Sequence, residues 1–269
     1  MKRMFSVFGC AALVLASVGL LWTSEPEAQA TPLAVGLNYV VPPFVPGAKP
    51  RTPESPDETL AAQLAEKLGA KEVDARRISA GSVPADIAKG EVDIALLPLS
   101  SGRQQALSDA GMAIVPTGYV ARPMAIMRSD TDIKSWEQLK GRTVCLSEGG
   151  LYTGHIASQY GAVELVKRAP ADSLLALRTG GCDAAVHDAY MLNTLLAYPE
   201  WKKFSATLPP GPKRDLVFVA SRDNAKAVAA LHSLTRGWRG KHYLDELNET
   251  RVRDIAFEVY LDQEVPDCH

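Results

Sequence analysis

Asp188 closes a short apolar run in the stretch GGCDAAVHDAYMLN. A carboxylate there can accept from a cationic ligand, take part in catalysis, or cap a helix from Ala189 to Leu196, where its oxygen would satisfy a free backbone N–H. His187 stands beside it. Glu148 follows another apolar run and opens the turn Glu148-Gly149-Gly150, and His155 comes shortly after. Glu148, His155, His187 and Asp188 include ligands that hard and borderline cations accept, and any acid or base role would fall to His187, Asp188 or Glu148. Their spacing matches no fixed metal motif. Arg103, at the end of PLSSGR, is a solvated loop charge unless a partner meets it. Tyr39 suits a core as well as a cleft wall. G-x-S-x-G, H-E-x-x-H and the phosphate-cradling glycine loop are all absent from the sequence.

These residues depend on elements that alternate between strand-like and helix-like patterns. Strands are expected at 33–37, 73–78, 92–97, 124–127, 142–146, 163–166, 184–186 and 216–220. Ser55-Pro56-Asp57-Glu58 has the form of a helix start, with Ser55 as cap, Pro56 at the first helical position and Glu58 at the third. Leu60, Leu64 and Leu68 then form a buried face, and Gly69 ends the helix. Further helices are expected at 83–88, 152–160 and 225–238, and Ser135 to Gln138 is a second capping-box pattern. Residues 46–56 hold four prolines and read as a surface loop. Alternating strands and helices imply parallel sheets covered by helices, with ligand crevices at the carboxyl ends of the strands. The loops after Leu37, Leu97, Leu146 and Val186 are therefore the places for a site.

Composition sets bounds on the rest. The 269 residues allow one large domain or two small ones, and 46% hydrophobic residues supply ample core. Lys2 and Arg3, an apolar run from Met4 to Trp22 and Ala28-Gln29-Ala30 mark residues 1–30 as a cleavable secretory signal, with an uncleaved anchor as the rival reading. The signal adds no net charge, so the mature chain keeps the formal −2, and nucleic acid is not an expected partner. Cys145, Cys182 and Cys268 remain. In an oxidising compartment an odd count leaves one thiol unpaired.

Four segments, in order, resemble the extracellular solute-binding proteins of family 3, the periplasmic amino-acid-binding type. They are LAVGLNYVVPPF, ETLAAQLAEKLG with AKGEVDIALLPLSSGR, DIKSWEQLKGRTVCLSEGG, and GGCDAAVHDAYMLN. The resemblance implies an α/β fold of two lobes, 31–120 with 219–269 and 121–218, each a mainly parallel sheet flanked by helices. A two-strand hinge joins them and a ligand is held in between. It assigns the ligand carboxylate to Arg103, through a bidentate guanidinium contact, with added hydrogen bonds from Ser100 and the Gly149-Gly150 N–H groups. It assigns an ammonium group to Asp188. Tyr39, Tyr152 and His187 complete the candidate ligand-binding set; no catalytic residue, cofactor or metal is expected. The resemblance also makes the strands bearing Cys145 and Cys182 neighbours, which implies a disulfide between them; two reduced thiols, or pairing with Cys268, are the alternatives.

This chain departs from the family pattern where Val41 precedes Pro-Pro-Phe, where Ser55-Pro56 precedes the first helix, at Met112-Ala113, and where Glu148 enters the glycine turn. Three functions follow. The first is a monomeric periplasmic protein that hands a small polar ligand, an amino acid or another small organic acid or amine, to an inner-membrane ABC permease. The second is an accessory protein of a periplasmic quinoprotein-type dehydrogenase. The third is a dehydratase or lyase on the same fold.

Overall fold

The computed structural model describes residues 31–263. The expected signal at 1–30 and Cys268 lie outside them. Two five-stranded sheets organise the chain. The first has the order β2-β1-β3-β10-β4, built from β1 (Leu33–Leu37), β2 (Val73–Arg77), β3 (Ile94–Leu99), β4 (Met112–Ala121) and β10 (Arg214–Ser221). The second has the order β7-β6-β8-β5-β9, built from β5 (Pro123–Met127), β6 (Thr143–Ser147), β7 (Val163–Lys167), β8 (Ala184–Asp188) and β9 (Ala206–Thr207). In each sheet the first three strands are parallel, and antiparallel strands join beside them. The chain passes between the sheets from Ala121 to Pro123 and again from Thr207 to Arg214. This is the two-lobe α/β architecture the sequence implies.

The helices cover the sheets as their apolar faces dictate. α1 (Asp57–Leu68) buries Leu60, Ala61 and Leu64 against β1 and β3, and Gly69 ends it in the left-handed conformation (φ 78°). Its start differs from the expected capping box. Ser55 bonds the Asp57 carboxylate instead of a backbone N–H, and Glu58 accepts the Val41 N–H (2.9 Å) from the preceding loop. α2 (Val83–Ala88) and α3 (Ser101–Asp109) follow β2 and β3. In the second lobe, α4 (His155–Tyr160), α5 (Pro170–Arg178) and α6 (Ala189–Leu195) flank the sheet, and Ser135 with Gln138 forms the expected capping box on a single 3-10 turn.

Cys145 on β6 and Cys182, just before β8, form a disulfide with Cα atoms 5.9 Å apart. The pairing follows from register: β6 and β8 run parallel, with Cys145 beside Ala185. The bond lies within the apolar cluster beneath α5 and α6.

α7 (Ala225–Gly240) covers the first sheet through Ala227, Leu231 and Trp238. α8 (Tyr243–Asp262) does not stay with it. Val252, Ile255 and Val259 join the core of the second lobe, against α5 and α6. The first turns of α8, through Tyr243, Leu244 and Leu247, still pack on the first lobe, so the helix touches both lobes: apolar side chains three and four residues apart put its later stripe on the second. Among the described residues, no helix is long and apolar enough to cross a membrane.

Candidate functional site

The candidate site lies where the carboxyl ends of β6 and β8 meet the loops of the first lobe. β8 is buried at every position, so His187 and Asp188 are carried into the interior, at 1% and 5% exposure. Asp188 performs two tasks at once. One oxygen accepts the Tyr190 N–H (3.0 Å) and caps α6, as the sequence suggests. The other accepts the hydroxyl of Tyr119 (3.1 Å), which reaches it from β4 in the first lobe. Burial pushes the Asp188 acid up to about 6. The Tyr190 and Tyr119 hydrogen bonds counter part of that rise, and the charge of Glu54 adds to it. The Tyr119 hydroxyl is itself held well above the ordinary tyrosine value, by burial and then by the Asp188 charge.

Tyr152 lies on the turn before α4 at 5% exposure, and its hydroxyl is buried without a hydrogen-bond partner among the described residues. Burial first, then the charge of Asp188, pushes that hydroxyl far above its ordinary value, with Tyr119, Glu54 and Arg214 also acting on it. An orphaned polar atom of this kind costs about 1–3 kcal/mol unless something pairs with it.

His187 is oriented from both sides. Its Nε2 lies 2.8 Å from the Ser173 hydroxyl on α5, and its Nδ1 lies 2.7 Å from Glu54. Ser147, the last residue of β6, donates to the same Glu54 oxygen. Glu54 belongs to the first lobe's proline-rich loop, which the sequence reads as surface, yet it is only 7% exposed. Burial alone would raise its acid strongly. The His187 charge and hydrogen bond, the Ser147 hydroxyl and the nearby Arg251 outweigh burial and hold it below the usual carboxylate range, so Glu54 is ionised. Ser173, His187 and Glu54 share the hydrogen-bond order of an acyl-transfer triad, but Ser173 is 0% exposed and has no route to a substrate carbonyl in this closed form.

The loop that carries Glu54 is fastened along its length. The Lys49 carbonyl accepts from Arg168, and the Lys49 ammonium meets Asp262 at 2.5 Å. Arg51 binds Asp172 on α5 (2.7 Å) and also Asp262 on α8. Glu258 on α8 accepts from both the N–H and the hydroxyl of Thr52, at 2.9 and 2.8 Å. Arg251 donates to the Pro53 and Glu54 carbonyls, at 2.6 and 2.8 Å. Residues 49–54 thus form a strap from the first lobe onto the second.

The other expected site residues divide into two groups. Tyr39 meets the glycine turn: its hydroxyl donates to Glu148 (3.4 Å), and its ring covers Gly149 so closely that a Cβ there would lie 2.4 Å from a ring carbon. Gly149 also has φ 73°, so glycine is required for conformation and for space. At Gly150 a Cβ would lie 2.9 Å from the Ser147 carbonyl. Ser100 and Arg103, by contrast, stand exposed at the start of α3, and neither side chain makes a hydrogen bond or ion pair among the described residues. His155 is exposed on α4, and among the described residues no group of three His, Cys, Asp or Glu is placed to hold a metal ion.

The residues that sequence reasoning missed are Glu54, Tyr119, Ser147, Ser173 and Arg251. Tyr119 had only a masked signal: burial alternates along the second half of β4, at Thr117, Tyr119 and Ala121, but Pro116 and Gly118 between them read as turn residues in the sequence. Glu54 had none: its partners Ser147 and His187 are 93 and 133 positions away.

No family model matches the chain, and no curated protein matches it. Solved structures do. A mutant of ArgBP from T. maritima matches at 19% identity and TM-score 0.52, covering 81% of this chain and 93% of that one. AbpA from Streptococcus pneumoniae, an amino acid ABC transporter substrate-binding protein bound to L-arginine, matches at 17% identity and TM-score 0.52, covering 83% of this chain and 95% of that one. Both share the two-lobe fold.

Proposed function

We propose that this chain is a periplasmic solute-binding protein that holds a small polar ligand between its lobes and presents it to an inner-membrane ABC permease. The observation that carries this reading is the buried polar cluster on the interlobe surface, in which the Asp188 carboxylate, the Tyr119 hydroxyl and the unpaired Tyr152 hydroxyl come together. Such groups are costly to bury unless a partner repays them. Glu54 is already matched by His187 and Arg251, whereas Asp188 and Glu148 have no cationic partner among the described residues, which suits a ligand presenting an ammonium or guanidinium group. Of the two neighbours with this fold, one is named ArgBP and the other is bound to L-arginine, which has both groups. Arg103 is exposed at the start of α3 and makes no contact with the buried cluster, so the acidic end is the part of the site the observed contacts support. No catalytic step is needed for this role.

Thermal unfolding with arginine, lysine, ornithine, simple diamines and small organic acids tests the reading. A cationic ligand at 100 times its Kd should add about 2.7 kcal/mol of stability, and Asp188→Ala should abolish that gain. If no compound raises the melting temperature and calorimetry detects no heat of binding, the reading fails.

The strap favours a second reading, an accessory protein of a periplasmic dehydrogenase that has no need to open. Co-purification with a dehydrogenase and not a permease would select it.

A further inference from the structure

Glu54 is positioned like a bound ligand. Its carboxylate lies between the lobes, but the polar groups that receive it, Ser147 and His187, belong to the second lobe. Both are 1% exposed, and each comes from the carboxyl end of a different strand. His187 is held in orientation by Ser173, itself fully buried, so this pair of donors is fixed by the second lobe's own packing. Arg251 grips the Pro53 and Glu54 carbonyls, so at this end the strap is held by its backbone and the Glu54 carboxylate is free to enter the pair. The arrangement would serve any small carboxylate equally well, because both groups meet one carboxylate oxygen and neither recognises anything beyond it.

We infer that Ser147 and His187 form a carboxylate-binding subsite of the second lobe and that Glu54 is its built-in occupant, so that the lobes close on a ligand supplied by the chain itself. The inference concerns the same interlobe region as the proposed function but does not depend on the transported solute. It places the carboxylate contact on the second lobe and not at Arg103. A solute with a free carboxylate gains this subsite only by displacing Glu54, whereas a carboxylate-free amine can bind at Asp188 with Glu54 in place.

Glu54→Ala tests it by emptying the subsite without touching the donors. The variant should unfold at a lower temperature than the parent. Sodium formate or acetate at about 0.1 M should raise its midpoint by about 5 °C over sodium chloride of equal ionic strength, with the parent unmoved. The double variant Glu54→Ala/His187→Ala should lose the response. A folded Glu54→Ala chain whose midpoint is the same in acetate and chloride overturns the inference, as does a parent that responds equally. Should Glu54→Ala not fold, Glu54→Gln decides. Gln keeps the shape but is a poorer acceptor, so it must lower the midpoint, and a Gln variant as stable as the parent overturns the inference. These outcomes are independent of the solute screen, because acetate rescue needs no amine and the screen uses the parent chain.

Discussion

At the scale of single residues, Asp188 is the group whose chemistry is most altered by folding. Its acid rises from 3.8 to about 6 in the native state. A raised carboxylate stabilises the fold while protonated. That contribution is fully present below the unfolded value and is lost as pH rises through about 6. A shift of about two units corresponds to about 3 kcal/mol. Asp188→Asn keeps one oxygen for the cap, turns an NH2 donor towards the Tyr119 hydroxyl oxygen, and cannot titrate. The parent should therefore lose about 3 kcal/mol relative to the variant between pH 4 and pH 7, read from urea midpoints. Asp57, also raised to about 6 by burial, cancels because both proteins carry it. The sequence disclosed Asp188 because a strand-ending aspartate has a mechanism of its own, the helix cap. It disclosed His187 only as unexplained. The explanation was Glu54, a lone acid in a proline-rich loop where no periodicity points inward. Gly149→Ala should also destabilise the protein, by about 1–3 kcal/mol, since the new methyl meets the Tyr39 ring at an unfavourable φ.

At the scale of elements, the short apolar runs were legible because a strand buried on both faces is apolar throughout. β3 and β8 are buried at nearly every position. β4 was not, because Pro116 and Gly118 interrupt its alternation and resemble turn signals. As a long edge strand, with its neighbour β10 on one side only, it tolerates a proline that a central strand would not. α8 was hidden by charge: its buried stripe of Val252, Ile255 and Val259 is narrow, and polar residues surround it. The disulfide belongs to this scale as well, since it joins β6 to the residue preceding β8 across 37 positions. Cys145→Ala/Cys182→Ala should lower the unfolding free energy by about 3 kcal/mol, chiefly by freeing the unfolded chain. Reducing the parent should reproduce most of that loss in the same denaturant titration.

At the scale of the molecule, helix-covered parallel sheets were legible from the alternation of elements, the two-lobe plan only through the family resemblance, and the contacts between the lobes not at all. Closure rests on pairs far apart in sequence: Tyr39 with Glu148, Tyr119 with Asp188, and the strap with α5 and α8. Each pair contributes modestly, and exposed members of the strap's ion pairs contribute least. Together they tie the two lobes to each other. Small-angle scattering of the ligand-free parent should give the compact radius expected for a chain of this size, about 17–18 Å. Arg51→Ala/Thr52→Ala should enlarge it, together with faster amide exchange across residues 49–54. A parent as expanded as the variant would show that the strap does not hold the lobes.

The path of the C-terminal helix has a practical consequence. β1 begins the first lobe near Leu33, while α8 ends on the second lobe at Asp262. The two ends of the described chain are thus fixed to different moving parts. A donor dye at residue 31 and an acceptor at residue 263 would form a built-in ruler across the hinge, reading the angle between the lobes in real time while the buried cluster stays unlabelled.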